Sequence, residues 1–366
     1  MGMSPYRTTQ VLFTPEIVNL IAEIDEFRGR WTTTQALAPD RLAALRRVAT
    51  IESIGSSTRI EGVKLINTEV EALLRGVKTY SFRSRDEQEV AGYAEVMELV
   101  FTSHRDITLS ENHIKQLHGI LLKYSTKDER HRGEYKKFSN QVAAFGPDGN
   151  NLGVVFQTAS PFDTPKLMTE LIGWTETQLT RRELHPLFVI AVFVVVFLQI
   201  HPFQDGNGRL SRAITTLLLL RQGYSYVPYS SLERVIEENK DAYYLALRRA
   251  QAEIEQSKKH KTTPKGKGPT RKGMEGWVIF FLRSMQKQKM TLEAKLAKEL
   301  LLNQLPLLSQ QIIELIKNHG PTSVAKVVAA TDANRNTVKA HFRALVADGR
   351  LAADGAGRGV RYRMKG

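Results

Sequence analysis

Residues 187–212 read Leu187-Phe-Val-Ile-Ala-Val-Phe-Val-Val-Val-Phe-Leu-Gln-Ile-His201-Pro-Phe-Gln-Asp205-Gly-Asn-Gly-Arg209-Leu-Ser-Arg212. An almost wholly apolar run passes without a spacer into a histidine, an aspartate, two glycines around an asparagine, and two arginines. The run, Leu187–Ile200, has 14 residues, and a membrane span needs about 20. It is therefore expected to be a buried core helix that ends at His201-Pro202. Gly206-Asn207-Gly208 then permits a tight turn, and Arg209 to Leu220 opens a new helix with an apolar face. A glycine turn feeding a helix N-terminus is an anion cradle, because unpaired N–H groups and the helix dipole both favour negative charge. Arg209 and Arg212 are three apart and share one side of the first turn. Their guanidinium donors suit phosphate oxygens. His201 is of the type that takes a proton from an attacking hydroxyl. Asp205 offers one hard oxygen ligand, and Mg²⁺ is commonly held by one or two carboxylates plus substrate phosphates. Together these residues point to phosphoryl or nucleotidyl transfer, in which positioning and charge stabilisation do most of the work.

The surrounding chain has 366 residues, 42% hydrophobic and 25% charged, which fits a soluble globular protein of two or three domains. It has no cysteine, so a disulfide framework and a cysteine-ligated metal are excluded. The start, MGMSPYRTTQVLF, lacks the apolar core of a signal peptide. The expected location is cytoplasmic, with no membrane contact. The net charge of +14 is uneven. Residues 256–274 carry seven Lys/Arg and no acid, and Ala333 to Gly366 hold eight Lys/Arg against two Asp. Basic character in the last third points to an anionic partner there.

Helical patterns dominate. Ile17, Leu20, Ile21 and Ile24 fall on one helix face after Thr14-Pro15, and a second helix spans Asp40 to Thr58. Further helices are expected over 67–75, 85–104, from Ser110, and over 164–180, 186–200, 208–222 and 237–255. Residues 131–161 change character: turn signals at Gly146–Asn150 and a β-like run at Val154–Phe156 suggest a hairpin flap. The domain expectation is an N-terminal helical region 1–109, a catalytic core 110–255, a basic linker 256–274, and a helix plus small module 275–366.

His201-Pro-Phe203-x-Asp205-Gly206-Asn207-Gly208-Arg209-x-x-Arg212 resembles the signature of Fic-domain proteins at every fixed position. Gly133-Glu-Tyr135-Lys136 resembles a common segment of that family, with Lys where Arg is usual. The resemblance implies a mainly α protein: a Fic-type helical core with a short β-hairpin flap. It implies AMP transfer from ATP, with Mg²⁺, to a hydroxyl side chain (Tyr, Thr or Ser) of a target protein, the chain itself included. His201 would be the base and Asp205 the Mg²⁺ ligand. Asn207 and the backbone N–H groups after Gly206 would hold the α-phosphate, with Gly208 in the same turn. Arg209 and Arg212 would bind the outer phosphates. The flap near Gly153–Pro161 would dock the target segment, and Tyr243 and Tyr244 would face the adenine or pack in the core. Ser57-Thr-Arg-Ile-Glu61-Gly62 resembles the family's inhibitory motif, which implies that Glu61 pairs with Arg212 and occupies the outer-phosphate position. Removal of AMP, or transfer of another phosphate-linked group, is the alternative within enzymes.

At the C-terminus, helical patterns at 312–319, 323–330 and 334–347 precede two short strands around Ala352-Ala-Asp-Gly-Ala-Gly-Arg358-Gly. This order resembles a winged helix-turn-helix. Arg335, Asn336, Lys339 and Arg343 would line the exposed side of the recognition helix, and Arg358 would belong to the wing. Such a module binds DNA, or else recognises protein or mediates a homodimer. A DNA-binding regulator whose Fic site senses nucleotide is the alternative from outside the enzymes.

Overall fold

The computed structural model describes residues 14–33, 39–76, 82–145, 151–259, 272–303, 305–355 and 359–365. The chain divides into two compact units, Met1–Leu292 and Glu293–Gly366. It is mainly α-helical.

The first unit is built around α7 (Pro186–Ile200). Every residue from Leu187 to Ile200 except Gln199 is buried. Seven of these are Val or Ile, which lose side-chain freedom in a helix at a cost of about 0.5 kcal/mol each relative to Ala. Burial of each such side chain returns roughly 1.5–3 kcal/mol, so tertiary packing wins over local propensity. The neighbours are α6 (Thr164–Arg181), α8 (Asn207–Arg221) and α10 (Lys240–Lys259). A fourth is the first part of α11 (Lys272–Asn303), from which Trp277 Nε1 donates to Ala191 O at 2.7 Å. A helix that is apolar on all sides needs cover on all sides. Residues 275–292, grouped by sequence with the C-terminal segment, therefore pack in the first unit.

A second layer holds α2 (Pro39–Ile60), α4 (Arg85–Ser103), α5 (Glu111–Leu121) and α9 (Leu232–Glu238). The end of α2 is buried although it reads Ser53-Ile-Gly-Ser-Ser-Thr58, because small residues let neighbouring helices approach closely. Gly92 has the same role in α4: a Cβ there would collide with the Leu121 carbonyl of α5. The remaining helices of this unit are α1 (Pro15–Thr33) and α3 (Asn67–Gly76). The expected hairpin is present as antiparallel β1 (Gln141–Phe145) and β2 (Asn151–Gln157), with two register shifts. Its turn at 146–150 lies outside the described residues, as does most of the basic linker.

The second unit contains α12 (Leu307–His319), α13 (Val324–Thr331), α14 (Arg335–Ala347) and the antiparallel pair β3 (Leu351–Asp354) and β4 (Arg361–Met364). Ile312, Ile316, Val327, Val338, Phe342 and Leu345 form its core, and Phe342 stacks on Tyr362 with centroids 3.9 Å apart. Helix starts follow side-chain capping: Ser323 Oγ accepts from Lys326 N, and Asn334 Oδ1 from Asn336 N.

Candidate active site

α7 terminates at His201, whose backbone turns left-handed (φ 53°, ψ 62°) while its N–H still donates to Phe197 O at 2.8 Å. This conformation costs a non-glycine residue about 1–2 kcal/mol, and the following Pro202 disfavours helical backbone there as well. His201 Nδ1 lies 3.3 Å from Leu198 O. A carbonyl only accepts, so Nδ1 carries the proton and Nε2 keeps a lone pair. Burial pushes the pKa of His201 down to about 4, against a smaller upward pull from the Leu198 carbonyl. At neutral pH the imidazole is an unprotonated base.

The loop beyond it is braced by its own side chains. Asn207 Oδ1 accepts from Phe203 N at 2.9 Å and its Nδ2 donates to Phe203 O at 2.8 Å. The Asn207 amide, expected on the α-phosphate, is thus bonded to the loop's own backbone. Gly206, with φ 79°, caps α8. The first intrahelical bond runs from Leu210 N to Gly206 O, so the N–H groups of Asn207, Gly208 and Arg209 precede it and form the anion cradle.

A carboxylate already lies beside that cradle. Glu61 packs over the first turn of α8, close enough that a Cβ on Gly208 would collide with its Oε1. Arg212 Nη2 donates to Glu61 Oε1 at 2.8 Å, and Arg212 Nε and Nη2 donate to Ser57 Oγ and Ser57 O at 2.8 Å each. Burial disfavours the Arg212 charge, but its neighbours, Glu61 foremost, together outweigh this and raise the guanidinium pKa. Gly62, with φ 105°, ends this arm. Arg59 anchors it by donating to both oxygens of Glu237 (2.7 and 3.0 Å), to Leu65 O and to Asn67 Oδ1.

Arg209 is buried and meets two acids, Glu89 at 2.7 Å and Asp205 at 3.5 Å. Arg85 closes a ring by reaching Glu89 at 2.7 Å and Asp205 at 3.3 Å. Asp205 remains more than a third exposed, and Arg209 Nε is buried without an acceptor among the described residues. A hard carboxylate beside a buried, unsatisfied cationic donor fits an ion held jointly with phosphates. Among the described residues no group of three or more His, Asp or Glu could hold a metal unaided. Tyr243 is buried against Trp277 and Phe280, with centroids about 6 Å away, while Tyr244 is partly exposed. Both feel the charges of Glu61 and Arg212.

Sequence reasoning missed Glu89, Arg85 and His118, and it gave Lys136 no bearing on the loop, whereas Lys136 bonds the carbonyls of Ile200 and Pro202. His118 interrupts the apolar stripe of Ile114, Leu117 and Leu121, and a histidine in such a stripe was the available signal. It is fully buried, stacked on Phe203 at 3.8 Å. Its Nδ1 accepts from Gly133 N and its Nε2 donates to Asp205 O, both at 3.0 Å. Burial pushes its pKa down to about 4. An unfolded histidine titrates near 6.5, so from pH 6.5 to 4 the unfolded chain binds a proton that folded His118 refuses. Stability is full above about pH 6.5 and falls as the pH drops towards 4, by roughly 3 kcal/mol for this group. Urea unfolding at stepped pH should show that slope, and His118→Gln should make it shallower, leaving the contribution of His201.

Residues 108–219 match the model of the Fic/DOC family. The chain is 29% identical over 225 residues to "Protein adenylyltransferase Fic" of Drosophila grimshawi, covering 60% of this chain and 42% of that protein. It is 27% identical over 206 residues to the protein of the same name from Culex quinquefasciatus, covering 55% and 38%. The chain thus spans less than half the length of the curated relatives it matches. Among solved structures, a Fic family protein from Desulfovibrio desulfuricans G20 matches with TM-score 0.62 and 26% identity, covering 100% of this chain and 99% of that one. A Fic domain containing signaling protein from Bacteroides thetaiotaomicron shares the fold at TM-score 0.56 and 23% identity, over 74% of this chain and 97% of that one.

Proposed function

We propose, from the match of residues 108–219 to the Fic/DOC family model, that the protein transfers AMP from ATP to a hydroxyl side chain (Tyr, Thr or Ser) of a target protein, itself included. The observation that carries this is Glu61. Its carboxylate rests on the N-terminal turn of α8 and bonds Arg212, where the outer phosphates of ATP would lie. A site that already receives a carboxylate from its own chain is built for anions, and its occupant regulates it.

In the transfer, His201 Nε2 accepts the proton of the target hydroxyl as its oxygen bonds to the α-phosphorus. The bond from that phosphorus to the bridging oxygen breaks, and pyrophosphate leaves. The N–H groups at the start of α8 face the α-phosphate. Arg209 and Arg212 stabilise charge on the departing pyrophosphate. Asp205 would hold Mg²⁺ together with the phosphates, and the ion, when bound, neutralises charge on them. The buried faces of α7 and α8 keep the loop rigid, so little reorganisation accompanies the reaction.

ATP labelled at the α- or the γ-phosphorus, supplied with magnesium to the parent, Glu61→Gly and His201→Ala, tests this reading. Retention of α-label alone on protein supports it. Retained γ-label points to phosphoryl transfer, and loss of pre-attached AMP to removal. No described helix is long and apolar enough to cross a membrane, and the proposed place of action is the cytoplasm, where ATP and magnesium are available.

The second unit favours a DNA contact of its own, by a winged helix-turn-helix. Arg335, Asn336, Lys339 and Arg343 on α14 are all exposed, while Val338, Phe342 and Leu345 on its other face are core. Arg358 lies outside the described residues. If these three cations reach phosphates, duplex affinity should fall with a log–log salt slope of about −3. Fluorescence titration at two salt concentrations measures it. A flat salt response would assign the face to protein recognition instead.

A further inference from the structure

Lys136 lies outside the signature loop, yet it is buried, with 3% of its surface exposed. No carboxylate pairs with it among the described residues. Its ammonium has three donors, and three neutral acceptors meet them: Asn140 Oδ1 at 2.9 Å, Thr158 Oγ1 at 2.9 Å and Ile200 O at 3.1 Å. Its main-chain N–H donates to Pro202 O at 2.9 Å. The carbonyls on both sides of His201 are therefore bonded to one residue, and His201 is where the backbone turns left-handed.

The other two acceptors are equally well placed. Asn140 immediately precedes β1 and Thr158 immediately follows β2. Thr158 Oγ1 is within 2.7 Å of Asn140 O, and Asn140 Nδ2 donates to Phe203 O at 2.9 Å. The root of the hairpin, the end of α7 and the start of the loop thus converge on one ammonium. A buried lysine is costly without an anion beside it, so its presence here needs a reason beyond packing.

We propose that Lys136 is a positioning residue for AMP transfer, a clamp that holds the His201 turn and the hairpin root in one fixed relation. The inference rests on the transfer reading proposed above. If the hairpin docks the target, the clamp sets the distance between the incoming hydroxyl and His201 Nε2 while touching neither ATP nor the reacting atoms. Misplacement of about 1 Å at such a point costs up to 10²-fold in rate.

The clamp is also pH-sensitive. Burial pushes the Lys136 pKa down to about 8. The titratable group that faces it is His201, which also feels its charge and is neutral in this range. Above about pH 8 the neutral amine keeps two donors for three acceptors, so either one contact is lost or Thr158 Oγ1 turns its proton from Asn140 O to the amine, and both loosen the hairpin root. Global stability does not fall with it. Between pH 8 and about 10.5 the unfolded lysine still binds a proton that the folded one has released, so this group's contribution rises with pH.

The test uses the full chain with Glu61→Gly, and the same chain carrying in addition Lys136→Met or Lys136→Arg. Three quantities are followed from pH 7 to 9.5: self-labelling with α-labelled ATP, affinity for a fluorescent ATP analogue, and hydrogen exchange at residues 141–157 and 200–203, corrected for intrinsic chemical rates. Expected for Lys136→Met is labelling about tenfold or more slower, analogue affinity within about threefold, and faster exchange at both segments. The Glu61→Gly parent should lose labelling and gain exchange above about pH 8, and Lys136→Arg, which stays charged, should flatten both pH trends. Exchange and labelling in Lys136→Met within about twofold of its parent would overturn the clamp, as would a parent with no change across pH 8. The pH series on the parent decides even if Lys136→Met fails to fold. Absence of label on the parent and all variants would instead count against the transfer reading, and hydrogen exchange would still decide the clamp.

Discussion

The 366-residue chain carrying Glu61→Gly is expected to transfer AMP on the order of 10- to 100-fold faster than the parent, the range given by a coupling of about 1–3 kcal/mol between the brake and nucleotide. Glu61 and ATP compete for the same donors. The carboxylate takes Arg212 Nη2 at 2.8 Å and covers the first turn of α8 at Gly208, so productive phosphate placement requires its departure. The substitution should leave the fold intact. Ser57 still receives two bonds from Arg212, and Arg59 still ties the arm to Glu237. The side chain lost is about one-third exposed, and a left-over charge on Arg212 is met by the incoming phosphates. Initial rates of α-label incorporation, paired with a melting curve, measure the effect. A folded variant with unchanged or lower rate would sink the brake.

In that released background, His201→Ala should cost about 10²–10⁴-fold in transfer while leaving ATP affinity within a few-fold. The imidazole is held neutral by burial and oriented by Leu198 O. Removing it takes away the acceptor for the hydroxyl proton and leaves the phosphate site of α8 untouched. Single-turnover labelling with a separate nucleotide titration distinguishes loss of the base from loss of binding. Parallel loss of affinity would mean that His201 serves the loop and not the proton.

Much of this site was legible because its chemistry is contiguous. A helix end, a glycine turn and a helix start place His201, Asp205 and the two arginines by local geometry alone, and the length of the apolar run settled α7 as a helix. Glu61 was legible only through family resemblance, since nothing in its local pattern reaches toward Arg212, which is 151 residues away. The contacts of Glu89, Lys136 and His118 were not legible. They arrive across separations of 120, 64 and 87 residues, and each of the three looks locally like an ordinary helical or loop residue. Asn207 adds a contact that its place in the motif did not show: its side chain bonds both backbone atoms of Phe203. Periodicity reports which face of a helix is buried, but not which polar groups meet inside.

The hydrogen bond from Trp277 to Ala191 bears on how the protein can be shortened. Trp277, Val278, Phe281, Leu282 and Met285 are all buried in the first unit, although they follow a stretch that looks like a natural place to cut. An expression fragment stopped at residue 255 would leave the indole's share of α7 open to water and prone to self-association. A trimmed version that keeps its solubility has to run on to about Leu292, where the first compact unit ends.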